Sequence, residues 1–291
     1  MRIGIHTSIA ESFEKAAIQA AELGANTFQI FSSSPRMWRA STPGPAAAGL
    51  LRRARERFDL QPLVIHVSYL VNLASADPAI RAKSVAAFRG ELERADALGA
   101  EYLVVHPGSY RGQALEQGIA AFAAGLREAA QGRKTATTVL LENTVGAGAQ
   151  IGGRLEELRA IHDLAAAVTD VEVGYCLDTC HLLAAGFDVA SETGLRETLR
   201  QAESALGLAN VKVIHANDSK SGLGSRVDRH ENIGEGHIGE AGFRRILAHP
   251  KLRSKPFILE TPVEQEGDDR RNLDKLKKLC PRSRTTTTRS S

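Results

Sequence analysis

Short β-rich apolar runs recur along the chain and alternate with longer segments whose apolar positions repeat at helical spacing. Strands that alternate with helices indicate parallel β–α–β units. The pattern predicts eight strands: RIGIHT (2–7), TFQIF (27–31), PLVIHV (62–67), EYLVVH (101–106), TVLLEN (138–143), VGYCLD (173–178), VKVIHAN (211–217) and KPFILET (255–261).

The segment between the third and fourth runs, DPAIRAKSVAAFRGELERADALGA, carries a full set of helix signals. Asp77 can cap the N-terminus, Pro78 suits the first turn, and Gly99 can close the C-terminus. Its apolar positions repeat at roughly helical intervals: Ile80, Val85, Phe88, Leu92, Ala95 and Leu98. We therefore expect a long helix here.

Eight strand and helix units in 291 residues match a closed (β/α)8 TIM barrel better than an open doubly wound sheet. Residues 1–280 are predicted to form this single domain. Residues 281–291, PRSRTTTTRSS, lack apolar periodicity and are predicted to be a disordered, basic, Thr/Ser-rich tail.

The sequence gives no sign of a nucleotide cofactor. The glycine-rich segment GAGAQIGG (146–153) lacks the G-x-G-x-x-G spacing of dinucleotide-binding loops, so no nucleotide cofactor is expected.

Composition narrows the function classes only a little. The chain is 43% hydrophobic and 24% charged with a formal net charge of +3, so a nucleic-acid surface would have to be a local basic patch. The 3 cysteines are too few for a disulfide framework and favour a reducing compartment, which predicts a cytoplasmic protein. Neither a secretion signal nor a membrane span is expected.

Six of the eight predicted strands end in a residue that commonly binds metal. These residues are His66, His106, Glu142, Asp178 (with His181 just beyond), His215 and Glu260. The C-terminal ends of barrel strands face one mouth, so these groups should converge there. Acids and imidazoles buried together without counter-ions would cost several kcal/mol each, and divalent cations are the usual remedy. The mixture favours zinc, with manganese or iron as substitutes.

A segment of more than twenty residues without helical pattern follows the seventh strand, HANDSKSGLGSRVDRHENIGEGHIG, and helical pattern resumes near Glu240. Loops of this length are usually functional. Asp228 and His230 have the D-x-H spacing that lets two ligands reach one ion, and His181 could complete that site.

Cys176 and Cys180 are interpreted as small buried residues, not ligands. His6, at the end of the first strand, is expected to line the site.

The motifs HVSYLVNL, GYCLDTCH and IHANDSKSGLGSRVDRH, with HPGS, LENT and ILET, closely resemble the endonuclease IV family of apurinic/apyrimidinic endonucleases. The resemblance runs from residue 1 to about residue 262. It implies a (β/α)8 barrel that holds three zinc ions and acts in base excision repair. The implied reaction is hydrolysis of the DNA phosphodiester 5′ to an abasic site, leaving a 3′-hydroxyl and a 5′-deoxyribose phosphate, with 3′-end repair as a further activity.

The resemblance also implies how the ligands are divided among the ions. His66 and His106 would hold a first zinc, and Glu142, the catalytic residue, would bridge it to a second, beside a metal-bound hydroxide. The second zinc would be completed by Asp178, His215 and Glu260, and the third would be held by His181, Asp228 and His230. Departures from the family pattern at Val67, at Tyr175 and in SSSPRMW (32–38) remove no ligand.

The implied partner is double-stranded DNA containing abasic sites, bound by a monomer. Arg36, Tyr69 and Leu70 are the predicted wedge, because an abasic site has no base edge to read and must be sensed through missing stacking and easy deformation. Lys220 and Arg226 are predicted to contact phosphates. For Tyr69 and Leu70, packing against the next helix is the competing interpretation.

Two other functions are compatible with a metal-binding barrel. A sugar isomerase or epimerase would also place His, Glu and Asp at strand ends, but such sites need two ions at most, and the Asp228-x-His230 segment speaks against it. A non-catalytic lesion-binding protein would bind DNA tightly without cleaving it.

Overall fold

Eight parallel strands close into a barrel in the computed structural model, which describes residues 1–281. The strands of the chain are β1 (Ile3–His6), β2 (Thr27–Phe31), β3 (Leu63–His66), β4 (Tyr102–Val105), β5 (Thr138–Glu142), β6 (Val173–Asp178), β7 (Val211–His215), β8 (Asp218–Ser219), β9 (His230–Glu231) and β10 (Phe257–Leu259). All except β8 and β9 belong to the barrel, in the order β1-β10-β7-β6-β5-β4-β3-β2. The predicted (β/α)8 TIM barrel is confirmed.

Helices connect the barrel strands and cover their outer faces. They are α1 (Phe13–Glu22), α2 (Pro45–Phe58), α3 (Pro78–Leu98), α4 (Leu115–Ala130), α5 (Leu155–Val168), α6 (Thr179–Ala185), α7 (Glu192–Leu206), α8 (Gly239–Ala248) and α9 (Asp268–Leu279), with one 3-10 turn at Leu208–Asn210. Within residues 1–281, none of these helices combines the length and the apolar character that a membrane crossing requires. Most of the predicted tail, residues 282–291, lies outside the described residues.

Helix α3 begins and ends where its sequence predicts. The Asp77 carboxylate accepts hydrogen bonds from the backbone N–H groups of Ala79 and Ile80, which have no partner inside the helix. Gly99 ends the helix with φ 67°, a left-handed conformation that glycine adopts without a side-chain clash. The predicted helix between the third and fourth strands is confirmed.

The interior of the barrel contains a separate apolar layer. One inward-facing residue from each of six strands forms it: Val64, Val104, Leu140, Cys176, Val213 and Ile258. Side chains alternate across a strand, so the residue two positions further along each strand also faces inward, toward the C-terminal mouth. Those residues are His66, His106, Glu142, Asp178, His215 and Glu260. The apolar layer is therefore the floor on which the polar site rests.

The segment after β7 is more ordered than the sequence indicates. β8 and β9 pair as an antiparallel ribbon, with Ser219 opposite His230. The buried Asp218 carboxylate accepts hydrogen bonds from the backbone N–H groups of Gly234, Gly236, Ile238 and Gly239, which secures the chain before α8. Two-residue strands have no measurable periodicity, so the prediction of a long loop did not include them. Helical structure does resume at Gly239, next to the expected Glu240.

Close approach of β1 and β2 at the base of the barrel requires a glycine. A Cβ atom at Gly4 would lie 1.9 Å from the carbonyl oxygen of Thr27, and a backbone oxygen cannot swing away as a flexible side chain can. By contrast, a Cβ atom at Gly49 of α2 would meet only the end of the Arg53 side chain, at 3.6 Å.

We expect Gly4→Ala to lower the free energy of unfolding by about 2 kcal/mol or more, because the strand pair must separate to admit the methyl group. The matched change Gly49→Ala should raise it by about 0.5 to 1 kcal/mol, because alanine favours the helix interior. Denaturant unfolding of both variants measures the difference. Equal stability of the two variants would contradict the close approach.

Candidate metal centre

The carboxylate of Glu142 lies at the centre of the barrel mouth and is wholly buried. One oxygen, Oε2, is 3.0 Å from Nε2 of His66 and 2.9 Å from Nε2 of His106. The other oxygen, Oε1, is 2.9 Å from Nδ1 of His215. The two oxygens of Glu142 therefore face two different groups of histidines.

A second group of potential ligands surrounds His215. Glu142, Asp178, His215 and Glu260 each offer an atom that lies within 4.8 Å of the others. Nδ1 of His215 is 3.2 Å from Oε2 of Glu260. Three carboxylates around one imidazole form a donor set that suits a divalent cation.

A third group lies where α6 meets the ribbon. Nε2 of His181 is 3.2 Å from Oδ1 of Asp228. Nε2 of His230 is 3.7 Å from Oδ2 of Asp178 and 3.7 Å from Oδ1 of Asp228, too far for a hydrogen bond to either. This nitrogen is buried and has no hydrogen-bond partner. A buried polar atom without a partner between two carboxylates is what a cation site requires, so the residues present fit a bound metal.

Three of the histidines are held in the same way. Nδ1 of His66 lies 2.8 Å from the carbonyl oxygen of Val67, Nδ1 of His181 lies 2.9 Å from that of Asn143, and Nδ1 of His230 lies 2.9 Å from that of Glu260. A carbonyl only accepts, so each Nδ1 carries the proton and each Nε2 is left to bind. Metal-binding histidines are commonly oriented by such contacts.

The buried carboxylates at the barrel mouth stabilise the protonated form of neighbouring histidines. Burial disfavours the charged form of His181, but the charges of Asp178, Asp228 and Glu142 outweigh burial and raise its pKa to about 10. Burial also opposes ionisation of Glu142, yet the charges of His215 and His106 hold its pKa well below the ordinary value. Without a metal, protonated imidazoles supply the positive charge that the carboxylates need.

The two neighbouring cysteines are close to these groups but differ from them chemically. Sγ of Cys176 lies within 4.8 Å of ligand atoms of Glu142 and His215, and Sγ of Cys180 lies equally near those of Asp228 and His230. Burial raises the pKa of both thiols to about 12, so both stay protonated at neutral pH. Cys176 also belongs to the apolar layer inside the barrel, in agreement with its interpretation as a packing residue. For Cys180 that interpretation stays a prediction.

Three buried side-chain amides at the mouth, those of Asn143, Asn217 and Gln29, were not predicted as site residues from the sequence. Asn143 Oδ1 accepts from the backbone N–H of Asp178 at 2.7 Å. Asn217 donates to Oδ2 of Asp178 at 2.6 Å, and its Oδ1 accepts from the backbone N–H of Glu260 at 2.7 Å. Gln29 contacts both Glu260 and His215. Each of the three amides left a signal in the sequence. Asn143 directly follows the predicted ligand Glu142, and Asn217 lies two residues after the predicted ligand His215. Gln29 is a polar residue inside the apolar run TFQIF.

A cavity of about 450 Å³ opens above these groups. His6 lines it, as expected, and packs against Phe31 with 4.6 Å between ring centroids. Burial lowers the pKa of His6 to about 4, so its imidazole is neutral. Apolar and aromatic side chains, among them Val67, Leu259 and Val263, form the remaining walls of the cavity.

Four of the five predicted DNA contacts are exposed at this face. Arg36, Tyr69, Lys220 and Arg226 are exposed, whereas Leu70 is half-buried. The Tyr69 side chain lines the cavity and is 64% exposed, which disfavours packing as its main role. Ser68 donates a hydrogen bond to the carbonyl oxygen of Pro35, so the loops that carry Tyr69 and Arg36 lie side by side. Arg226 donates from Nη1 to the carbonyl oxygen of Val145, which uses part of its donor set.

Comparison with known proteins gives consistent matches over nearly the whole chain. A family model described as "Xylose isomerase-like TIM barrel" matches residues 18–279. A protein of Solibacter usitatus named "Probable endonuclease 4" is 68% identical over 281 residues, covering 96% of this chain and 97% of that protein. The chain is also similar to "Endonuclease 4" of Thermus thermophilus, with 44% identity over 270 residues, 92% of this chain and 94% of that protein.

Solved structures extend the comparison to the fold. The crystal structure of endonuclease IV from Thermus thermophilus aligns with a TM-score of 0.85 at 41% identity, covering 96% of this chain and 98% of that chain. The crystal structure of a D-tagatose 3-epimerase-like protein aligns with a TM-score of 0.69 at 21% identity, covering 96% and 97% of the two chains. At that identity the second match concerns the fold alone.

We expect a metal ion that binds near His230 to be separable from metal ions that bind around Glu142. Asp228→Ala removes a carboxylate from the group of His181 and His230 and leaves Glu142 and its neighbours intact. Zinc-loaded Asp228→Ala should contain one ion fewer per chain than the unmodified protein, as measured by elemental analysis. Asp163→Ala, which removes an acid on α5, is the control and should keep the full count. An unchanged count in Asp228→Ala would refute the separate site.

Proposed function

The chain belongs to the endonuclease IV family, and from this premise we propose that it is a zinc-dependent endonuclease that hydrolyses the phosphodiester 5′ to abasic sites in duplex DNA. It is a DNA-cleaving hydrolase of the phosphodiesterase type. The proposed products are a 3′-hydroxyl and a 5′-deoxyribose phosphate, with repair of blocked 3′ ends as a second reaction of the same site. Monomeric state and cytoplasmic location remain predictions from the sequence.

The observation that carries the proposal is the third group of ligands with its unpartnered nitrogen. A sugar epimerase on this barrel would be served by the groups around Glu142 and His215 alone. The ribbon brings Asp228 and His230 to His181 as an additional group, and Nε2 of His230 is buried without a partner. A cation bound by this third group would favour phosphodiester hydrolysis, because negative charge develops on the leaving oxygen as well as on the phosphoryl group.

The residues of the three groups suit zinc, since they combine imidazole nitrogens with carboxylate oxygens and no thiolate. His66, His106 and Glu142 would hold one ion, Glu142 with Asp178, His215 and Glu260 a second, and His181, Asp228 and His230 a third. Zinc bound in these groups supplies an activated water nucleophile at neutral pH and neutralises charge on the phosphoryl oxygens.

The protein itself contributes orientation and charge. Glu142 offers one oxygen to each of two histidine groups, so it ties them at a fixed separation. Asn217 and the backbone N–H of His181 hold the two oxygens of Asp178, which keeps that carboxylate aimed between the second and third groups. Because the backbone carbonyls retain the Nδ1 protons of His66, His181 and His230, their Nε2 atoms would be the ones that bind metal.

We assign recognition of the abasic site to exposed side chains at the edge of the cavity. An abasic nucleotide lacks stacking and is cheap to extrude, so a protein senses it by inserting side chains into the duplex. Tyr69 stands exposed at the edge of the cavity beside the loop of Arg36, and Leu70 follows it. Lys220 and Arg226 lie on the segment between the two ribbon strands and would contact phosphates on either side of the lesion.

Incision of a labelled duplex with one abasic site tests the proposal. We expect Glu142→Gln to lower the incision rate at least about a thousandfold, because it removes the negative charge that joins two ligand groups. Glu128→Gln, on the outside of α4, should leave the rate unchanged. Prior removal of metal with a chelator should abolish incision, added zinc should restore it, and added magnesium should not be required. A fully active metal-free protein, or near-normal turnover by Glu142→Gln, would refute the proposal.

Tyr69 is expected to contribute affinity for abasic DNA and little stability, because most of its side chain is exposed. Tyr69→Ala should weaken binding to the abasic duplex by about 1 to 3 kcal/mol through the lost stacking contact, with the melting temperature kept. Tyr69→Phe retains the ring and should bind normally. Binding titrations and thermal melts on the same samples make the comparison, and reduced stability with unchanged affinity would remove Tyr69 from the recognition surface.

A further inference from the structure

Gln29 is a wholly buried amide on a barrel strand that contributes no candidate ligand. Strand β2 places it at the level of the ligands, beside β1 and across the mouth from β7. Its Nε2 donates to Oε1 of Glu260 at 2.6 Å and lies 3.1 Å from Nδ1 of His6. Its Oε1 lies 2.9 Å from Nε2 of His215. All the hydrogen-bonding atoms of one side chain are thus used inside the site.

Its neighbours permit only one orientation of the amide. A carboxylate that serves as a ligand is ionised and can only accept, so the atom of Gln29 that faces Glu260 must be the NH2 group. The second N–H of that group points to Nδ1 of His6, which accepts it. A reversed amide would set its carbonyl oxygen against Oε1 of Glu260, a repulsive contact between two acceptors, and that carboxylate oxygen would lose the donor that Gln29 supplies.

The orientation of Gln29 in turn determines the state of His215. With the carbonyl oxygen of Gln29 facing it, Nε2 of His215 must carry a proton and donate. Nδ1, which faces Glu142 and Glu260, is then the nitrogen available to a metal. His66, His181 and His230 use a backbone carbonyl to hold the proton on Nδ1, whereas His215 binds through the opposite nitrogen and needs a side-chain acceptor.

We propose that Gln29 is a positioning residue that keeps the Nε2 proton on His215 and holds Glu260 beside it, so that both ligands of the second group are set before a metal arrives. The inference rests on the proposed metal-dependent function and adds a determinant of metal affinity from a strand without ligands. Glu260 determines the orientation of the Gln29 amide, and that amide determines which nitrogen of His215 carries the proton. The three residues belong to three strands or strand ends that are far apart in sequence.

Gln29→Met tests the polar contacts, since methionine has nearly the same shape and keeps none of the hydrogen bonds. Competition of the apo-protein with a chromophoric chelator for zinc should give an affinity of the second group about 10 to 100 times weaker than in the unmodified protein, the usual effect of removing such a contact. Thr27→Val is the matched control, because it removes a buried hydrogen bond to the carbonyl oxygen of Pro62 from the same strand without touching a ligand. Its zinc affinity should be unchanged.

The imidazole nitrogens of His215 provide a readout that does not depend on activity. Long-range proton–nitrogen NMR spectra of the zinc-loaded protein should show a proton on Nε2 and none on Nδ1. Gln29→Met offers His215 no acceptor and should lose the protected Nε2 proton, whereas Thr27→Val leaves the contact between Gln29 and His215 in place and should preserve this pattern. Normal zinc affinity and an unchanged His215 spectrum in Gln29→Met would overturn the inference while leaving the proposed function intact. If the unmodified chain itself binds no zinc, the proposed function and this inference fall together.

Discussion

The buried charge of Glu142 is the constraint around which the mouth of the barrel is arranged. A wholly buried carboxylate is tolerated only when opposite charge and hydrogen bonds surround it, because its hydration is lost. Here the compensation comes from three histidines on three other strands or strand ends, each within 3.0 Å of one of its oxygens. Asp178 and Glu260 add further negative charge nearby, so the need for positive charge extends over the whole mouth, where groups of these residues could hold metal ions.

The polar site is stable because apolar layers enclose it from below. The floor formed by Val64, Val104, Leu140, Cys176, Val213 and Ile258 keeps water from reaching the ligands through the barrel. Buried amides and backbone carbonyls then fix each ligand without adding charge. Such a preformed arrangement costs little reorganisation when a metal or phosphate binds, and electrostatic stabilisation in active sites depends on that property.

The same barrel serves different chemistry according to what is added at its mouth. The similarity in fold to a D-tagatose 3-epimerase-like protein shows that the scaffold alone does not specify the reaction. In this chain the mouth carries the ribbon of β8 and β9, which Asp218 secures. The ribbon contains His230 and, between its strands, Asp228 and the exposed cations. The family relationship and the ribbon agree in pointing to a nuclease.

The sequence by itself determined the fold class and which residues converge, because strand alternation is local and the strand ends of a parallel barrel must meet at one mouth. His66, His106, Glu142, Asp178, His215 and Glu260 could be found by counting to the end of each apolar run. Only the tertiary structure decided which nitrogens of His66, His181, His215 and His230 are held by hydrogen-bond acceptors. It alone also brought Gln29, in a run without any ligand, against His215. Hydrogen-bond partners from distant strands make those choices. They leave no periodicity in the chain, so no local pattern can report them.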